Sequence, residues 1–287
     1  MSRIGIIGGS GLYQIEGIQS IKTVQVETPF GDPSDSFEIG QLEGREVVFL
    51  PRHARGHRLL PTEVPYRANI FAMKKLGVTH IISVSAVGSL REDYVPTDVV
   101  IIDNFFDRAN QARPTTFFGE GIVAHVQMAH PVCKILRQVL LEAGKNAGAN
   151  IKDGGTYLNM EGPQFSTLAE SLTYRKWGMD VIGMTQMSEA RLAREAEICY
   201  ATMAMVTDFD CWHEKVSGQT VSVEAILEIM HKNTEMAKII LKHAIPFVPD
   251  ADQCDCKDAL AVSLITEKTM WPPETIEKLK PIIEKYL

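Results

Sequence analysis

The segment RIGIIGGSGL, residues 3–12, sets the pattern from which the fold of this 287-residue chain can be predicted. Its first half is apolar and rich in isoleucine, and it ends in glycines, which is typical of a buried strand that leaves a sheet through a tight turn. Similar apolar runs, each followed by turn residues or a new loop, are VVFLP (47–51), THIISVSAVGSL (79–90), DVVIID (98–103), DVIGMT (180–185) and ICYATMAMVTDFD (198–210). The sequence therefore predicts several buried strands.

Segments with helical spacing of apolar residues alternate with these strands. They cover residues 66–77, 132–144, 166–178, 221–244 and the C-terminal PPETIEKLKPIIEKYL. Ser166 is predicted to cap the third of these helices, with Glu170 in its first turns. The alternation predicts an α/β fold with a mixed, largely parallel central sheet flanked by helices. Because no linker or repeat divides the chain, we expect one domain over residues 1–287, with 250–287 as a C-terminal tail and helix.

Charge and hydropathy narrow the classes of function. The chain has 29 basic and 36 acidic side chains and a net charge of −7, which argues against a nucleic-acid partner. No apolar run approaches the ~18 residues that a membrane-spanning helix needs. The N-terminus also lacks the basic and apolar regions of a signal peptide. These features favour a cytoplasmic protein without a membrane partner.

The five cysteines give an ambiguous signal. Cys133, Cys199 and Cys211 are isolated in the sequence and are expected to be reduced, buried and inert. Cys254 and Cys256, in CDC, are compatible with a strained local disulfide, half of a metal site or two plain thiols. Because no second Cys/His pair follows at the spacing of a zinc site, the sequence predicts no metal centre.

Ligands of open α/β sheets bind at strand ends, so the loops after the predicted strands are candidate sites. The first loop, GGSG, lacks the third glycine of a dinucleotide fingerprint and the Gly-Lys-Ser/Thr of a Walker loop. It offers backbone N–H groups and the Ser10 hydroxyl, which suit a small anion. A tight turn without a ligand is the alternative.

Three further loops also offer groups that bind phosphate. RHARGHR (52–58) has three arginines, whose forks suit phosphate oxygens better than its two histidines suit a metal, although a solvated basic loop is the alternative. SVSAVGSL (83–90) has small residues, including Ser85 and Ala86, that let a ligand approach the backbone. Thr185 opens a helix, where the helix dipole favours an anion. Together the four loops predict a phosphate site.

A fifth loop, TDFDCW, contains two carboxylates in place of groups that bind phosphate. Asp208 and Asp210 are two residues apart, so strand alternation would point both to one side. Carboxylates repel phosphate, and we therefore expect them to contact another part of the ligand, by accepting from an amino group or by donating when protonated. Turn or cap residues are the alternative interpretation.

Six motifs in this order resemble the trimeric purine nucleoside phosphorylases: GIIGGSGL, RHARGH, VSAVGSLRE, NMEGPQFST, GMT and TDFDCW. The resemblance covers residues 1 to about 245. It implies that family's α/β fold and a homo-oligomer, either a trimer or a dimer of trimers. It also implies that the partners are a nucleoside and inorganic phosphate as co-substrate, with no metal and no organic cofactor.

The resemblance assigns roles to individual positions. The phosphate-binding residues that it implies are Ser10, Arg52, His53, Ser85, Ala86 and Thr185. The purine-binding residues are Phe165, Ser166, Asp208 and Asp210, and Met184 contacts the ribose. The pocket for the 5′ substituent is formed by Val223, Ile226 and Leu227, with His125 from a neighbouring subunit. The spacing of Val223, Ile226 and Leu227 at i, i+3 and i+4, taken without the resemblance, favours the alternative of a helix core.

The implied reaction is attack of phosphate on the anomeric carbon of a purine nucleoside. Arg52 and His53 are the catalytic residues that bind the phosphate nucleophile, and Asp210 is the general acid that protonates purine N7. Ser166 and the aspartate pair depart from the pattern of 6-oxopurine enzymes, and an apolar 5′ pocket favours a methylthio group. We therefore expect phosphorolysis of 5′-methylthioadenosine to adenine and 5-methylthioribose 1-phosphate, in purine and methionine salvage. The alternative substrates are 6-oxopurine nucleosides or 5′-methylthioinosine, and a non-catalytic nucleoside-binding protein is the alternative of another class.

Overall fold

A computed structural model of the chain describes residues 3–9, 11–12, 15–109, 113–214 and 223–287, without the side chains of residues 20 and 223–226. The strands are β1 Arg3–Gly8, β2 Gln19–Val24, β3 Phe37–Leu42, β4 Arg45–Pro51, β5 Val78–Ser89, β6 Val99–Ile101, β7 Asn104–Arg108, β8 Ile151–Asp153, β9 Thr156–Met160, β10 Val181–Gly183 and β11 Cys199–Phe209. The α-helices are α1 Tyr66–Lys75, α2 Lys134–Asn146, α3 Leu168–Lys176, α4 Gln186–Glu195, α5 Val223–Ala244 and α6 Pro273–Ile283. None of the helices in these residues has the length and apolar character needed to cross a bilayer.

All the described strands belong to one mixed sheet. Its main path runs β2-β3-β4-β1-β5-β10-β9-β7, and a branch from β5 runs through β11 and β6 to β8. Six of the ten pairings between described strands are parallel. The predicted α/β fold with a mixed, largely parallel sheet is confirmed.

Strand β5 changes its neighbour along its length. On one edge, β1 pairs with it in parallel until Ile7 is level with Ser83. On the same edge, β10 pairs with its far end in the antiparallel direction, where Ile182 is level with Gly88. Strand β11 occupies the other edge throughout both regions. Among the described residues, 84–87 therefore have no strand partner on the first edge, and a gap opens in the sheet there.

Helices cover both faces of the sheet with apolar residues. One face packs against α2 and α5 through residues such as Leu136, Leu140, Ile240 and Leu241. The other packs against α1, α4 and α6 through Ile70, Phe71, Leu192 and Ile282. The segment predicted as a tail joins this second layer, because Leu260, Trp271 and Leu279 are buried in it. The boundary at residue 250 stays a prediction.

The predicted cap of α3 is wrong by one residue. Thr167, not Ser166, is the N-cap, and its hydroxyl accepts a hydrogen bond of 3.3 Å from the Glu170 N–H. The Glu170 carboxylate accepts in return from the Thr167 N–H at 2.8 Å. The two members of such a reciprocal capping box are three positions apart, which selects Thr167 over Ser166 as the partner of Glu170.

Cys133 and Cys199 are buried, as expected, and although they are isolated in the sequence the fold brings them together with two other cysteines. The sulfur atoms of Cys133, Cys199, Cys254 and Cys256 all lie within 4.8 Å of one another, and all four residues are buried. Distance along the chain concealed this cluster, because the fold brings the start of α2 and the start of β11 to the segment after α5.

Candidate functional site

The candidate site begins at the gap beside β5. Ala86 is exposed there, although most of the residues around it in this strand are buried. If the antiparallel register of β10 is continued past Gly183, Thr185 becomes level with Ser85. Strand β1 ends at the other side of the gap, where Ile7 is level with Ser83, and Ser10, which follows β1, lies outside the described residues. The ends of β1 and β10 thus converge on Ser85 and Ala86 because the two strands run in opposite directions.

Arg52 is buried beneath this gap, with 3% of its surface exposed. Its Nη2 donates to Ser83 Oγ at 2.6 Å, and its Nη1 donates to the Val84 carbonyl at 3.1 Å. Nε and Nη2 also bind the carboxylate of Glu189. Burial opposes the charge of the guanidinium, but the Glu189 carboxylate holds the pKa of Arg52 above its ordinary value. Four of the five N–H groups are therefore committed within the protein, and one on Nη1 remains.

His53, next to Arg52, is a neutral imidazole at neutral pH. Burial, reinforced by the charge of Arg52, lowers the pKa of His53 to about 4. Its Nδ1 lies 2.8 Å from the Leu59 carbonyl, and its ring stacks on His57 at 4.5 Å. A carbonyl only accepts, so Nδ1 carries the proton and Nε2 is left as an acceptor. Such a group can accept from the hydroxyl of a monohydrogen phosphate.

Ser85 and Thr185 meet around the hydroxyl of Tyr157. Ser85 Oγ lies 3.4 Å from Tyr157 Oη. A Cβ on Gly183 would collide with that hydroxyl, so the glycine lets Tyr157 reach the gap. Thr185 is the N-cap residue of α4, but its side chain makes no capping hydrogen bond to the helix. Its hydroxyl accepts from Gln186 Nε2 at 3.1 Å and retains its proton for another acceptor.

Sequence reasoning missed Glu189, which connects these parts. Its carboxylate accepts from Arg52, from Ser83 Oγ at 2.7 Å and from the Tyr200 hydroxyl at 2.9 Å. It is 2% exposed in the first turn of α4. The available signal was its position, three residues after Gln186 and four before Ala193, which places a carboxylate on the buried stripe of the helix.

The aspartate pair lies at the far end of β5. The Asp210 N–H donates to the Ser89 carbonyl at 2.9 Å, and the Asp210 side chain lies beside Gly88. Asp210 is 8% exposed, and its Oδ2 has no hydrogen-bond partner in the described part of the chain. Burial raises the pKa of Asp210 above its ordinary value, against hydrogen bonds that favour the ionised form. The site therefore holds a carboxyl oxygen that lacks a partner.

Asp208 has a related environment. Burial, with a smaller contribution from the charge of Asp210, raises the pKa of Asp208 to about 6, although a hydrogen bond of 2.6 Å from Thr207 Oγ1 opposes the shift. Ser85 and Gly88 are three residues apart on β5, a spacing of about 10 Å along the strand. The gap beside residues 84–87 and the aspartate pair beside Gly88 and Ser89 are thus adjacent along β5.

The segment GPQFS lies near the aspartates. The Ser166 carbonyl accepts from Cys211 Sγ at 3.3 Å, which joins this segment to the residue after Asp210. Phe165 is 80% exposed. The structure therefore places Ser166 close to Asp210, and it leaves the ring of Phe165 accessible to a ligand.

Arg113 is a second residue that sequence reasoning missed. It is buried, and it donates to the Met184 carbonyl at 2.6 Å and to Glu161 Oε1 at 2.9 Å. It thereby fixes Met184, whose side chain is partly buried, beside the start of the GPQFS segment. A single arginine outside the motifs carries no sequence signal of this role.

The predicted 5′ pocket is described only in part. The side chains of Val223 and Ile226 lie outside the described residues. Leu227 is on α5 and is 59% exposed, so the helix-core alternative is wrong for this residue. His125 is exposed, and its backbone N–H donates to the Ser263 carbonyl at 2.8 Å.

Comparison with known proteins gives a consistent picture. The model of the phosphorylase superfamily matches residues 3–246. The S-methyl-5′-thioadenosine phosphorylase of Geobacter sulfurreducens is 57% identical over 284 residues, which cover 99% of both chains. A crystal structure of a methylthioadenosine phosphorylase from an antarctic soil metagenomic library is 48% identical, with a TM-score of 0.92 and 98% coverage of both chains. A variant of the adenosine/methylthioadenosine phosphorylase of Schistosoma mansoni, solved with methylthioadenosine, is 35% identical, with a TM-score of 0.84 over 94% of this chain and 100% of its own.

Proposed function

The chain belongs to the phosphorylase superfamily, and we propose that it cleaves 5′-methylthioadenosine with inorganic phosphate to adenine and 5-methylthioribose 1-phosphate. It is a pentosyltransferase. The observation that carries the choice of substrate is the pair of partly buried Asp208 and buried Asp210 beside the end of β5, with one oxygen of Asp210 that has no partner among the described residues. The similarity to named methylthioadenosine phosphorylases supports the same choice.

Phosphate is proposed to bind in the gap beside β5. The free N–H on Arg52 Nη1, the Thr185 hydroxyl and the N-terminus of α4 offer donors, and Ser85 lies at the same point. His53 Nε2 accepts a hydrogen bond from the hydroxyl of the monohydrogen phosphate, whose proton stays on the phosphate. Arg52 both contacts phosphate and keeps Ser83 and Glu189 in position. These groups hold the nucleophile beside the anomeric carbon, where its charge stabilises the oxocarbenium-like transition state.

The purine is proposed to bind about 10 Å along β5, between the aspartates and Phe165. Burial keeps the Asp210 carboxyl protonated more readily than a carboxyl in water. As the glycosidic bond breaks, electrons move onto the purine, and Asp210 donates its proton to N7. Asp208 accepts from the 6-amino group, and Phe165 stacks on the base. Met184 contacts the ribose, and Leu227 with Val223 and Ile226 contacts the methylthio group.

Release of adenine should require phosphate. We expect no pentose 1-phosphate and negligible adenine when sulfate replaces phosphate at equal ionic strength, and we expect arsenate to restore adenine release. The reason is that the attacking group in this scheme is the phosphate anion itself and not water. Chromatography of adenine and the sugar phosphate measures both products. Equal rates of adenine release with and without phosphate would identify a hydrolase and contradict the proposal.

The base preference should follow from Asp208. We expect kcat/KM for 5′-methylthioadenosine to exceed that for 5′-methylthioinosine by at least about 10²-fold, because the 6-oxo group offers no donor to a carboxylate that needs one. Asp208→Asn should reduce this ratio, since an amide can donate to the 6-oxo group. Competition assays with both nucleosides measure the ratio directly. A wild-type preference for the 6-oxo substrate would exclude this role of the aspartate pair.

Assembly and cellular context are part of the proposal. We infer a homotrimer or a dimer of trimers, supported by the exposed position of His125, which would complete the 5′ pocket of a neighbouring subunit. The proposed reaction uses no metal and no organic cofactor, and phosphate is a co-substrate. Purine and methionine salvage in the cytoplasm is the corresponding cellular role.

A further inference from the structure

Four cysteines that the proposed reaction does not use form a compact cluster. Cys133 precedes α2, Cys199 begins β11, and Cys254 and Cys256 follow α5. Their sulfur atoms lie within 4.8 Å of one another, and those of Cys133 and Cys254 are 3.3 Å apart. The cluster therefore joins three segments that are distant in sequence.

The distances fit a tetrahedral metal site. With a Zn–S bond of about 2.3 Å, the sulfur atoms of a tetrathiolate are about 3.8 Å apart. The sulfur–sulfur separations in the cluster, from 3.3 Å to within 4.8 Å, bracket this value. Small side-chain rotations would equalise them. Four buried sulfur ligands without a carboxylate or imidazole among them favour zinc over harder cations such as magnesium or calcium.

The surroundings can offset the charge of four thiolates. Cys133 is the N-cap residue of the 13-residue helix α2, and its sulfur accepts from the Leu136 N–H at 3.4 Å. Arg194 Nη1 lies 4.0 Å from Cys256 Sγ. Amide donors, a helix N-terminus and a guanidinium are typical of groups that stabilise metal-bound thiolates.

His80 is a further polar group on this side of the sheet. It is fully buried on β5, level with Cys199 on the adjacent parallel strand, so the two side chains leave the sheet on the same face. Its Nε2 has no hydrogen-bond partner in the described part of the chain. A buried ring nitrogen without a partner is costly, and a sulfur ligand of the neighbouring site is a suitable partner for it.

We propose that Cys133, Cys199, Cys254 and Cys256 bind one Zn²⁺ as a structural tetrathiolate site. On binding, four thiols each lose a proton to solvent and form four Zn–S bonds, and no electrons are transferred. The metal would attach the segment after α5 to the starts of α2 and β11. This segment leads into the chain that contributes Leu260, Trp271 and α6 to the core, so the site would stabilise the C-terminal part of the fold.

Metal analysis of the purified, untagged full-length protein tests the proposal. We expect about one zinc per chain in the wild type, and we expect it to be lost in Cys254→Ser and Cys256→Ser. Cys211→Ser is the matched control, because Cys211 is the one cysteine outside the cluster and its variant should retain the zinc. Loss of zinc from Cys211→Ser alone, or retention in both cluster variants, would overturn the assignment.

A second measurement keeps the test valid if the serine variants fail to fold. Zinc is removed from the wild type with a chelator under reducing conditions, and Co²⁺ is added. Tetrahedral thiolate ligation predicts intense visible absorption and a sulfur-to-cobalt charge-transfer band, both abolished by one equivalent of Zn²⁺. The melting temperature should fall on chelation and recover with Zn²⁺. A protein without zinc that gives no such spectrum, or intact mass showing the four cysteines as two disulfides, would overturn the proposal.

Discussion

Asp210→Asn is expected to lower kcat for 5′-methylthioadenosine by about two to four orders of magnitude, the usual contribution of a general acid. Asparagine has nearly the same shape and can still accept through its oxygen, so the fold and the contact beside Gly88 should remain. It offers no carboxylic proton to N7 of the departing adenine. Steady-state kinetics, with circular dichroism to verify folding, measure the effect.

The pH profile distinguishes a proton donor from a residue that only shapes the pocket. Burial raises the pKa of Asp210, and the proposed acid acts only while it is protonated. The wild-type kcat should therefore fall as pH rises through the pKa of Asp210 in the complex, and this limb should be absent in Asp210→Asn. Asp208→Asn is the matched control and should lose less activity while retaining the limb. An Asp210→Asn enzyme with the wild-type rate and profile would remove Asp210 from the mechanism.

Glu189→Ala is expected to lower the free energy of unfolding by about 3–5 kcal/mol. The side chains of Arg52 and Glu189 are 4% and 2% exposed, and the carboxylate also accepts from Ser83 and Tyr200. Its removal leaves the Arg52 charge buried without a counter-ion. Urea denaturation, followed by two probes to verify a cooperative transition, measures the change.

Two variants make this stability test specific. Glu228→Ala removes one partner of the exposed Glu228–Lys232 pair and should leave the urea midpoint unchanged, since solvent screens such pairs. Replacing Arg52 and Glu189 together by methionine should restore part of the stability, because no buried charge then remains. If Glu189→Ala shifted the midpoint no further than Glu228→Ala, the buried pair would not be a major determinant of stability.

The strand ends were predictable because their signal is local. An apolar run that ends in turn residues identifies a strand and its loop without knowledge of the partner strand, and β1, β4, β5, β6, β10 and β11 were found in this way. Strands β2, β3, β7, β8 and β9 were not predicted. β7 illustrates the reason, since its residues are alternately exposed and partly buried and give no apolar run.

The arrangement of those ends was not predictable, because it depends on contacts between distant segments. The sequence DVIGMT does not indicate that β10 is antiparallel to β5, yet this direction brings Thr185 towards Ser85. Glu189 likewise binds Ser83, and Arg113 binds Glu161, and each of these partners is more than 40 residues away in the sequence. The cysteine cluster follows the same rule, since three separate segments supply its four sulfur atoms.

The change of neighbours along β5 has a consequence for how such enzymes diverge. One uninterrupted strand carries Ser85, at the proposed phosphate site, and the backbone of Gly88 and Ser89, which contacts Asp210. The distance between the proposed phosphate and purine sites is therefore set by the rise per residue of β5, and it does not depend on the side chains at either site. Substitution of Asp208, the residue proposed to contact the 6-amino group, can then change the choice of base without displacing phosphate. New nucleoside specificities can thus arise by exchange of a few side chains, while an insertion or deletion within β5 would abolish activity towards every substrate.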